Sequence, residues 1–390
     1  MKRKTKLLVI ISLAVTVIHS ITSCGHTHIW TDWERDEFEH WRVCAVEGCK
    51  EEERETHSAS TCSECAYTPH VKEPEHTHIW AEWERDEFEH WRVCTVENCK
   101  KEEREIHSEG TCSECAYGLR ILSFGFDQGG DPAHSDFARE ANAWFSEQGE
   151  KLGFSYTYAG NNFSALNDKN LENYDLIMFL NNIPGGAEQQ EAFRKYMDNG
   201  GAFIAFHSAG FAMWDGHTPP SDWYDWYHNT LLCSGEYGNC ADPDDPSIVY
   251  WNTWNPTSEP LKIETHNHFC TANIEGDEII SAPCEWYAWA NNLMDDPAVT
   301  VLLTLNPSEE NPAGDDPRTG MEFQIWKTGH HPIAWAINDY NAVYMNWGHN
   351  LQSYNHFEKE SSTFSSEKQN QFMINAIYGV VQNSLKDKNK

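Results

Sequence analysis

The chain has 390 residues, and 61 acidic against 28 basic side chains give it a formal net charge of −33 at pH 7. This charge disfavours nucleic acid and anionic lipid head groups as partners, because their phosphates would be repelled. The length exceeds that of one small domain and predicts two or three folding units.

Residues 1–23 have the composition of a bacterial lipoprotein signal peptide. A basic start is followed by an apolar run from Leu7 to Ile18, and the segment ends in Ile21-Thr22-Ser23-Cys24, which resembles a lipobox. Cleavage before Cys24 and acylation of its thiol would anchor the chain to a membrane. We therefore expect an exported, membrane-anchored lipoprotein on the periplasmic or cell-surface side of a bacterial envelope. The alternative is an ordinary secretory signal with an unrelated cysteine.

Two near-copies of one 42-residue module follow, residues 26–67 and 76–117, and they differ at eight positions. Each has the cysteine pattern C-x4-C, twelve residues, C-x2-C, formed by Cys44, Cys49, Cys62 and Cys65 and by Cys94, Cys99, Cys112 and Cys115. Paired cysteine knuckles are typical of tetrahedral zinc sites such as those of zinc ribbons. A histidine of each copy (His40 or His57; His90 or His107) could replace one thiolate.

A module of this size needs a cross-link, because about 40 residues bury too little apolar surface to fold alone. Two disulfides per copy are the alternative to zinc in an exported protein. The C-x2-C spacing favours zinc. From their position alone, the modules are interpreted as spacers or adhesion elements that hold the domain that follows away from the membrane.

Residues 118–383 have the pattern of an α/β domain. Up to His207, apolar runs alternate with amphipathic segments, which predicts βαβ units and a parallel sheet. The predicted strands of this part are 119–124, 154–158, 174–180 and 202–206, with helices from Ser135 or Asp136 to about 151 and from about 187 to 197. Further strands are predicted at 261–265, 299–305, 321–326, 333–337 and 342–347, with a last helix at 366–381.

The stretch from Gly200 to Gly210 combines a short apolar strand with His207 directly after it. Ligands of open α/β sheets bind just beyond the carboxyl ends of such strands, so this histidine is a candidate for chemistry or ligand contact. The alternative is a core histidine whose nitrogens are satisfied by backbone groups.

From about Leu119 to Val381 the chain resembles the ThuA-like, or trehalose-utilisation, proteins. The similarity rests on motifs that follow one another in the family's order: His134 after the first strand, Asp175–Leu180, Gly200–Ala209, Glu285-Trp286-Tyr287, His331-Pro332-Ile333-Ala334-Trp335 and Trp347-Gly348-His349. The resemblance implies a flavodoxin-like α/β fold related to class I glutamine amidotransferases. It also implies a carbohydrate as ligand or substrate.

The same resemblance places His134, His207, Glu285, His331 and His349 together as candidate site residues. Imidazoles and a carboxylate suit either a divalent metal or general acid/base chemistry on a sugar. Glutamine amide transfer is disfavoured, because the turn after the strand carries His207-Ser208 and lacks a nucleophilic cysteine. We expect processing of a glycoside or an oxidised sugar; the alternative is a non-catalytic glycan-binding or scaffold protein.

Four more cysteines lie in this domain, and an exported domain with four cysteines suggests two disulfides. The expected pairs are Cys233–Cys240 and Cys270–Cys284. A reduced Cys284 beside Glu285 would instead indicate metal binding.

Overall fold

The computed structural model describes residues 27–35, 39–57, 77–86, 89–107, 111–112, 114–126, 128, 131–211, 221–235, 256–287, 289, 291–305, 315–316, 321–322, 331–353 and 358–388. The chain divides into two compact units, Met1–His78 and Ile79–Lys390. The first contains one module, and the second contains the other module from Ile79 onward together with the α/β domain. Among the described residues, no helix combines the length and the apolar character that a bilayer span requires.

Each module forms a small antiparallel sheet of three strands in its described part. The strands are β1 (Glu34–Arg35), β2 (Glu39–Val43) and β3 (Glu52–Thr56) in the first copy, and β4 (Glu84–Arg85), β5 (Glu89–Val93) and β6 (Glu102–Ile106) in the second. The register is the same in both, with Trp41 opposite Arg54 and Trp91 opposite Arg104. The one buried strand position in each copy is a histidine, His40 or His90, so these sheets have no aliphatic core.

The second module packs directly on the α/β domain. The Arg85 guanidinium lies 3.3 Å from the ring centroid of Tyr378 and donates a hydrogen bond to the Cys115 carbonyl at 3.0 Å. Tyr117 packs so closely on Gly153 that a Cβ at that glycine would lie 2.0 Å from the ring. The second module is therefore part of the larger unit.

The first half of the large sheet is parallel, as predicted. Its strands are β7 (Arg120–Gly125), β8 (Ser155–Tyr158), β9 (Leu176–Leu180), β10 (Ala202–Phe206) and, much later in the chain, β17 (Asn341–Met345). Helices α1 (Pro132–Leu152) and α3 (Ala187–Asp198) connect them, with a short α2 (Asp168–Leu171) between. Along β9, alternate side chains enter opposite cores: Met178 packs in one and Phe179 in the other. Both faces are covered, which explains the continuous apolar runs.

Helix α1 begins earlier than predicted. Asp131 caps it by accepting a hydrogen bond from the amide of Ala133 at 2.8 Å, and Pro132 occupies the first position, where its missing N–H costs nothing. The prediction of a start at Ser135 or Asp136 is therefore wrong, and His134 lies in the first turn of the helix.

Four antiparallel strands extend the sheet beyond β17, an arrangement that the predicted parallel sheet did not include. They are β11 (Pro260–Ile263), β12 (Glu278–Ile280), β13 (Val299–Leu305) and β16 (His331–Ile337). Among the described residues, the order of the whole sheet is β12-β11-β13-β16-β17-β10-β9-β7-β8.

The remaining described elements are short apart from the last helix. They are β14 (Asp315–Asp316), β15 (Met321–Glu322), β18 (Gln352–Ser353), β19 (Glu358–Lys359), α4 (Asp222–Asp225) with a π-helical continuation at Trp226–Leu231, and α5 (Glu367–Lys388). The predicted strand 321–326 lies mostly outside the described residues.

Candidate functional site

Three neighbouring parallel strands end in a buried polar residue at the same edge of the sheet. Asn181 follows β9, His207 follows β10 and Asn346 follows β17. Because the carboxyl ends of parallel strands meet at one edge, these side chains face a common space, where open α/β sheets bind ligands.

His207 sits on a sharp turn that fixes the direction of its ring. Its φ is +47°, a value that a non-glycine residue rarely adopts, and Tyr344 holds the turn by donating to the His207 carbonyl at 2.9 Å. The Nδ1 of His207 lies 2.7 Å from the Asn346 carbonyl. A carbonyl oxygen only accepts, so Nδ1 carries the hydrogen and Nε2 presents a lone pair. That Nε2 lies 3.4 Å from Oε2 of Glu285.

Four of the five predicted site residues form one cluster. Ligand atoms of His134, His207 and Glu285 all lie within 4.8 Å of one another. The ring centroid of His349 lies 4.9 Å from that of His134 and 5.7 Å from that of His207. Nε2 of His134, Nε2 of His207 and Nδ1 of His349 are buried and have no hydrogen-bond partner among the described atoms.

These unpartnered nitrogens show that the cluster fits a divalent cation. Two imidazoles and one carboxylate, with a third imidazole beside them, form a donor set that suits zinc or iron. The carbonyl that orients His207 is the type of outer partner that metal-binding histidines have. A buried polar atom without a partner destabilises the folded state. A bound cation would explain why three such nitrogens converge here.

Burial sets the protonation states in this cluster. It lowers the pKa of His207 to about 3 and also lowers the pKa values of His134 and His349. Burial raises the pKa of Glu285, and the positive form of His349 acts in the opposite direction. The imidazoles are therefore neutral at pH 7, which is the form that binds a metal.

Asn346 and Asn181 position the cluster and were not predicted from the sequence. Asn346 donates to the Glu285 carbonyl at 2.7 Å and accepts from the amide of Tyr287 at 3.2 Å. Asn181 donates to the Gly348 carbonyl at 2.6 Å and accepts from the amide of Ser208 at 3.1 Å. Each is the first polar residue after a buried apolar strand, the same signal that identified His207.

Gly348 is needed where the segment carrying His349 crosses His207. A Cβ at this glycine would lie 2.5 Å from the Cβ of His207 and 3.0 Å from Oδ1 of Asn181. A larger residue would have to push one of them away. The glycine of the Trp347-Gly348-His349 motif therefore allows the two histidines to approach.

His331 lies at the same edge of the sheet, but the structure does not place it in the cation-binding group. It is the first residue of β16. Two residues later, the carbonyl of Ile333 accepts a hydrogen bond from the amide of Asn346 at 2.8 Å. His331 is buried. At this position His331 can support the loops of the site instead of contacting a ligand.

The expected disulfide between Cys270 and Cys284 is wrong, since both thiols are free. Cys284 donates to the Asn346 carbonyl at 3.3 Å, so it belongs to the surroundings of the site. Cys233 is also free, and Cys240 lies outside the described residues.

The cysteines of the modules do not gather in one four-cysteine site in the part of the chain that the structure describes. Cys44 and Cys49 lie with His28, whereas Cys112 and Cys115 lie with His90. Cys94 is buried and Cys99 is half-buried. Cys24, Cys62 and Cys65 lie outside the described residues.

Comparisons with known proteins agree with this architecture. A family model described as "ThuA: Trehalose utilisation" matches residues 127–363. A ThuA-like protein of known structure from Bacteroides uniformis is 24% identical, with a TM-score of 0.54 over 70% of this chain and 93% of that one. A ThuA-like protein from Parabacteroides merdae is 13% identical, with a TM-score of 0.42 over 67% and 90% of the two chains.

A glutamine amidotransferase from Thermotoga maritima is 11% identical, with a TM-score of 0.30 over 59% of this chain and 75% of that one. No curated protein sequence matches. The family model spans more than half of the chain, and its matched region contains every member of the histidine and glutamate cluster. This chain belongs to the ThuA trehalose-utilisation family.

Proposed function

We propose that this protein is an exported, lipid-anchored carbohydrate-processing enzyme that acts on a glycoside or an oxidised sugar with a divalent metal. One observation carries the proposal: the buried, unpartnered nitrogens of three histidines converge beside Glu285 at the carboxyl edge of the sheet. The family's description supplies the carbohydrate. Convergent ligands in a buried site, in a protein of that family, support a reaction centre more than a structural core.

In this proposal His134, His207 and Glu285 hold the cation, and His349 completes the set or accepts a proton at Nδ1. A divalent cation bound there supplies a Lewis acid for a sugar oxygen. Burial raises the pKa of Glu285, so when this carboxyl group is not bound to the cation it can transfer a proton to a departing oxygen. Asn346 positions both residues, because its carbonyl accepts a hydrogen bond from the His207 ring and its side chain donates one to the Glu285 carbonyl.

The test is a metal analysis followed by a sugar screen. We expect the full chain to bind a divalent metal that the His207→Gln variant loses, and to convert a glycoside or an oxidised sugar in a chelator-sensitive reaction. Sugars that bind without conversion, with or without added metal, would contradict catalysis and favour the alternative.

A groove in the same unit favours glycan binding as the second candidate function. It has a volume of about 490 Å³ and lies between the second module and helices α1 and α5. Its lining includes the rings of Trp83, Trp144, Phe269 and Tyr378 and the amides of Gln148 and Asn375. Aromatic faces with amides between them suit sugars, but the groove is separate from the histidine cluster and contains no member of it. Glycan binding here is compatible with catalysis at the cluster.

The lipid anchor at Cys24 is part of the proposal and rests on the signal sequence alone. We expect the full chain to fractionate with bacterial membranes and the Cys24→Ala variant to leave them. Equal membrane association of both forms would exclude an anchor at this residue.

A further inference from the structure

The modules contain more metal-binding side chains than one zinc site uses. Each 42-residue copy has four cysteines and four histidines at matching positions: His26, His28, His40 and His57 in the first copy and His76, His78, His90 and His107 in the second. A tetrahedral structural zinc site takes four ligands from such a set. Eight side chains per copy therefore correspond to two sites.

The structure separates the two cysteine pairs of the module. In the first copy, Cys49 Sγ lies 3.6 Å from His28 Nδ1, and both group with Cys44. In the second copy, Cys112 Sγ lies 3.7 Å from His90 Nδ1, and both group with Cys115. The C-x4-C pair and the C-x2-C pair thus meet different histidines.

His107 is a candidate for the fourth ligand of the site around Cys112. Its ring stacks on that of His90, with a centroid distance of 5.5 Å and an interplanar angle of 9°. Both nitrogens of His107 and Nε2 of His90 are buried and lack hydrogen-bond partners among the described atoms. His90 itself is 2% exposed. Burying several unpartnered imidazole nitrogens beside two thiols is unfavourable unless a cation binds them.

The aliphatic side chains of the module's sheet contribute little to its interior. Val93 is 40% exposed and Ile106 is 84% exposed, while His90, Cys112 and Cys115 are buried. Ligand side chains thus occupy buried positions that aliphatic residues would otherwise fill. The amide of Lys101 donates to Cys99 Sγ at 3.4 Å, an arrangement that stabilises a metal-bound thiolate.

We propose that the module binds two zinc ions, one at each cysteine pair. One site consists of His90, His107, Cys112 and Cys115 in the second copy. The other is built on His28, Cys44 and Cys49 in the first copy, with one tetrahedral position left for a further ligand. Because the second copy has cysteines at the matching positions, we expect Cys94 and Cys99 to bind zinc as Cys44 and Cys49 do. Zinc fits because mixed thiolate and imidazole ligands in a closed site are typical of structural zinc.

Serine substitutions in the second copy test the number of sites. Zinc is counted by mass spectrometry in the full chain, in Cys112→Ser/Cys115→Ser, in Cys94→Ser/Cys99→Ser and in the variant that combines all four changes. We expect each pair to remove one ion and the combined variant to remove two. If losing either site unfolds the module, each pair removes two ions, which still requires two sites.

Two results would overturn the proposal. Loss of the same single ion in both pairs and in the combined variant would mean one four-cysteine site. Unchanged zinc, with the module thiols oxidised to disulfides, would mean no site. The matched control is Glu105→Gln, which removes a charge 4.0 Å from His90 Nε2 without removing a ligand and should keep all the zinc.

Cobalt substitution gives an independent readout of the ligands. Thiolate-to-cobalt charge-transfer absorbance reports the number of thiolates per ion, and we expect two where a four-cysteine site has four. His107→Gln should change the ligand-field bands of one cobalt in the chain. All these variants keep the His207 cluster intact, so a metal bound in that cluster contributes equally to every zinc count. Failure of the enzyme proposal would therefore leave this result unaffected.

Discussion

Replacing Glu285 with glutamine is expected to lower turnover of the sugar substrate by about 10²- to 10⁴-fold, the range of a lost acid/base group. Glutamine keeps the size of the side chain but removes the carboxylate that faces His207 Nε2 at 3.4 Å. It can neither hold a proton nor provide the anionic ligand of the cluster. Measurement of kcat and KM separately shows whether the loss lies in the chemical step.

The control for this variant is Glu259→Gln. Glu259 is also a buried carboxylate whose pKa is raised by burial, but it is not a member of the cluster. We expect its variant to keep turnover within about twofold of the unaltered protein, since no interaction with the transition state is removed. Similar losses in both variants would show that Glu285 matters for folding only, and an active Glu285→Gln protein would exclude the proposed role.

The sequence predicted much of the site because strand ends are visible in it. A buried parallel strand appears as an uninterrupted apolar run, and the first polar residue after the run marks the edge where ligands bind. This reasoning found His207, and the family motifs added His134, Glu285 and His349. The rule about the first polar residue after a strand applies equally to Asn181 and Asn346, but an asparagine at a strand end is also an ordinary turn residue. Only the hydrogen bonds of these two asparagines show that they position the cluster.

Strand direction could not be read from the sequence. The run His331–Ile337 is as apolar as a parallel strand, yet it pairs antiparallel with β17 through a short turn. Burial on both faces removes the alternation that usually marks antiparallel strands. His331 therefore lies at the beginning of its strand, while His207 follows the end of its own.

Cysteine spacing alone could not show which histidine lies beside each cysteine pair of a module. Two knuckles on one short chain suggest one shared site, because a zinc ribbon brings them together. In the described parts, the strands instead place a histidine next to each pair, His28 beside Cys49 and His90 beside Cys112. Which histidine lies beside which cysteine pair depends on strand register. β5 pairs with β6, and His107, the residue after β6, stacks on His90.

Acid is expected to destabilise this protein strongly, because several histidines are buried in the neutral form. His228 gives the clearest case: burial lowers its pKa to about 3, and Tyr224 and Tyr227 pack on its ring with centroid distances of 4.4 and 4.9 Å. Its ordinary pKa is 6.5. Between these values the unfolded chain binds the proton that the folded chain excludes, so the free energy of unfolding rises with pH. The stabilisation is complete above pH 6.5 and is lost as the pH falls toward 3.

The His228→Gln variant tests this quantitatively. One such histidine changes the free energy of unfolding by up to about 1.4 kcal/mol per pH unit, and about 2 kcal/mol between pH 7 and pH 5 by linkage. Glutamine does not titrate, so the unaltered protein should lose about 2 kcal/mol more than the variant over this interval. Denaturant unfolding of both proteins at the two pH values measures the difference. The same pH dependence in both would mean that His228 becomes protonated without unfolding, and that its burial does not exclude the charge.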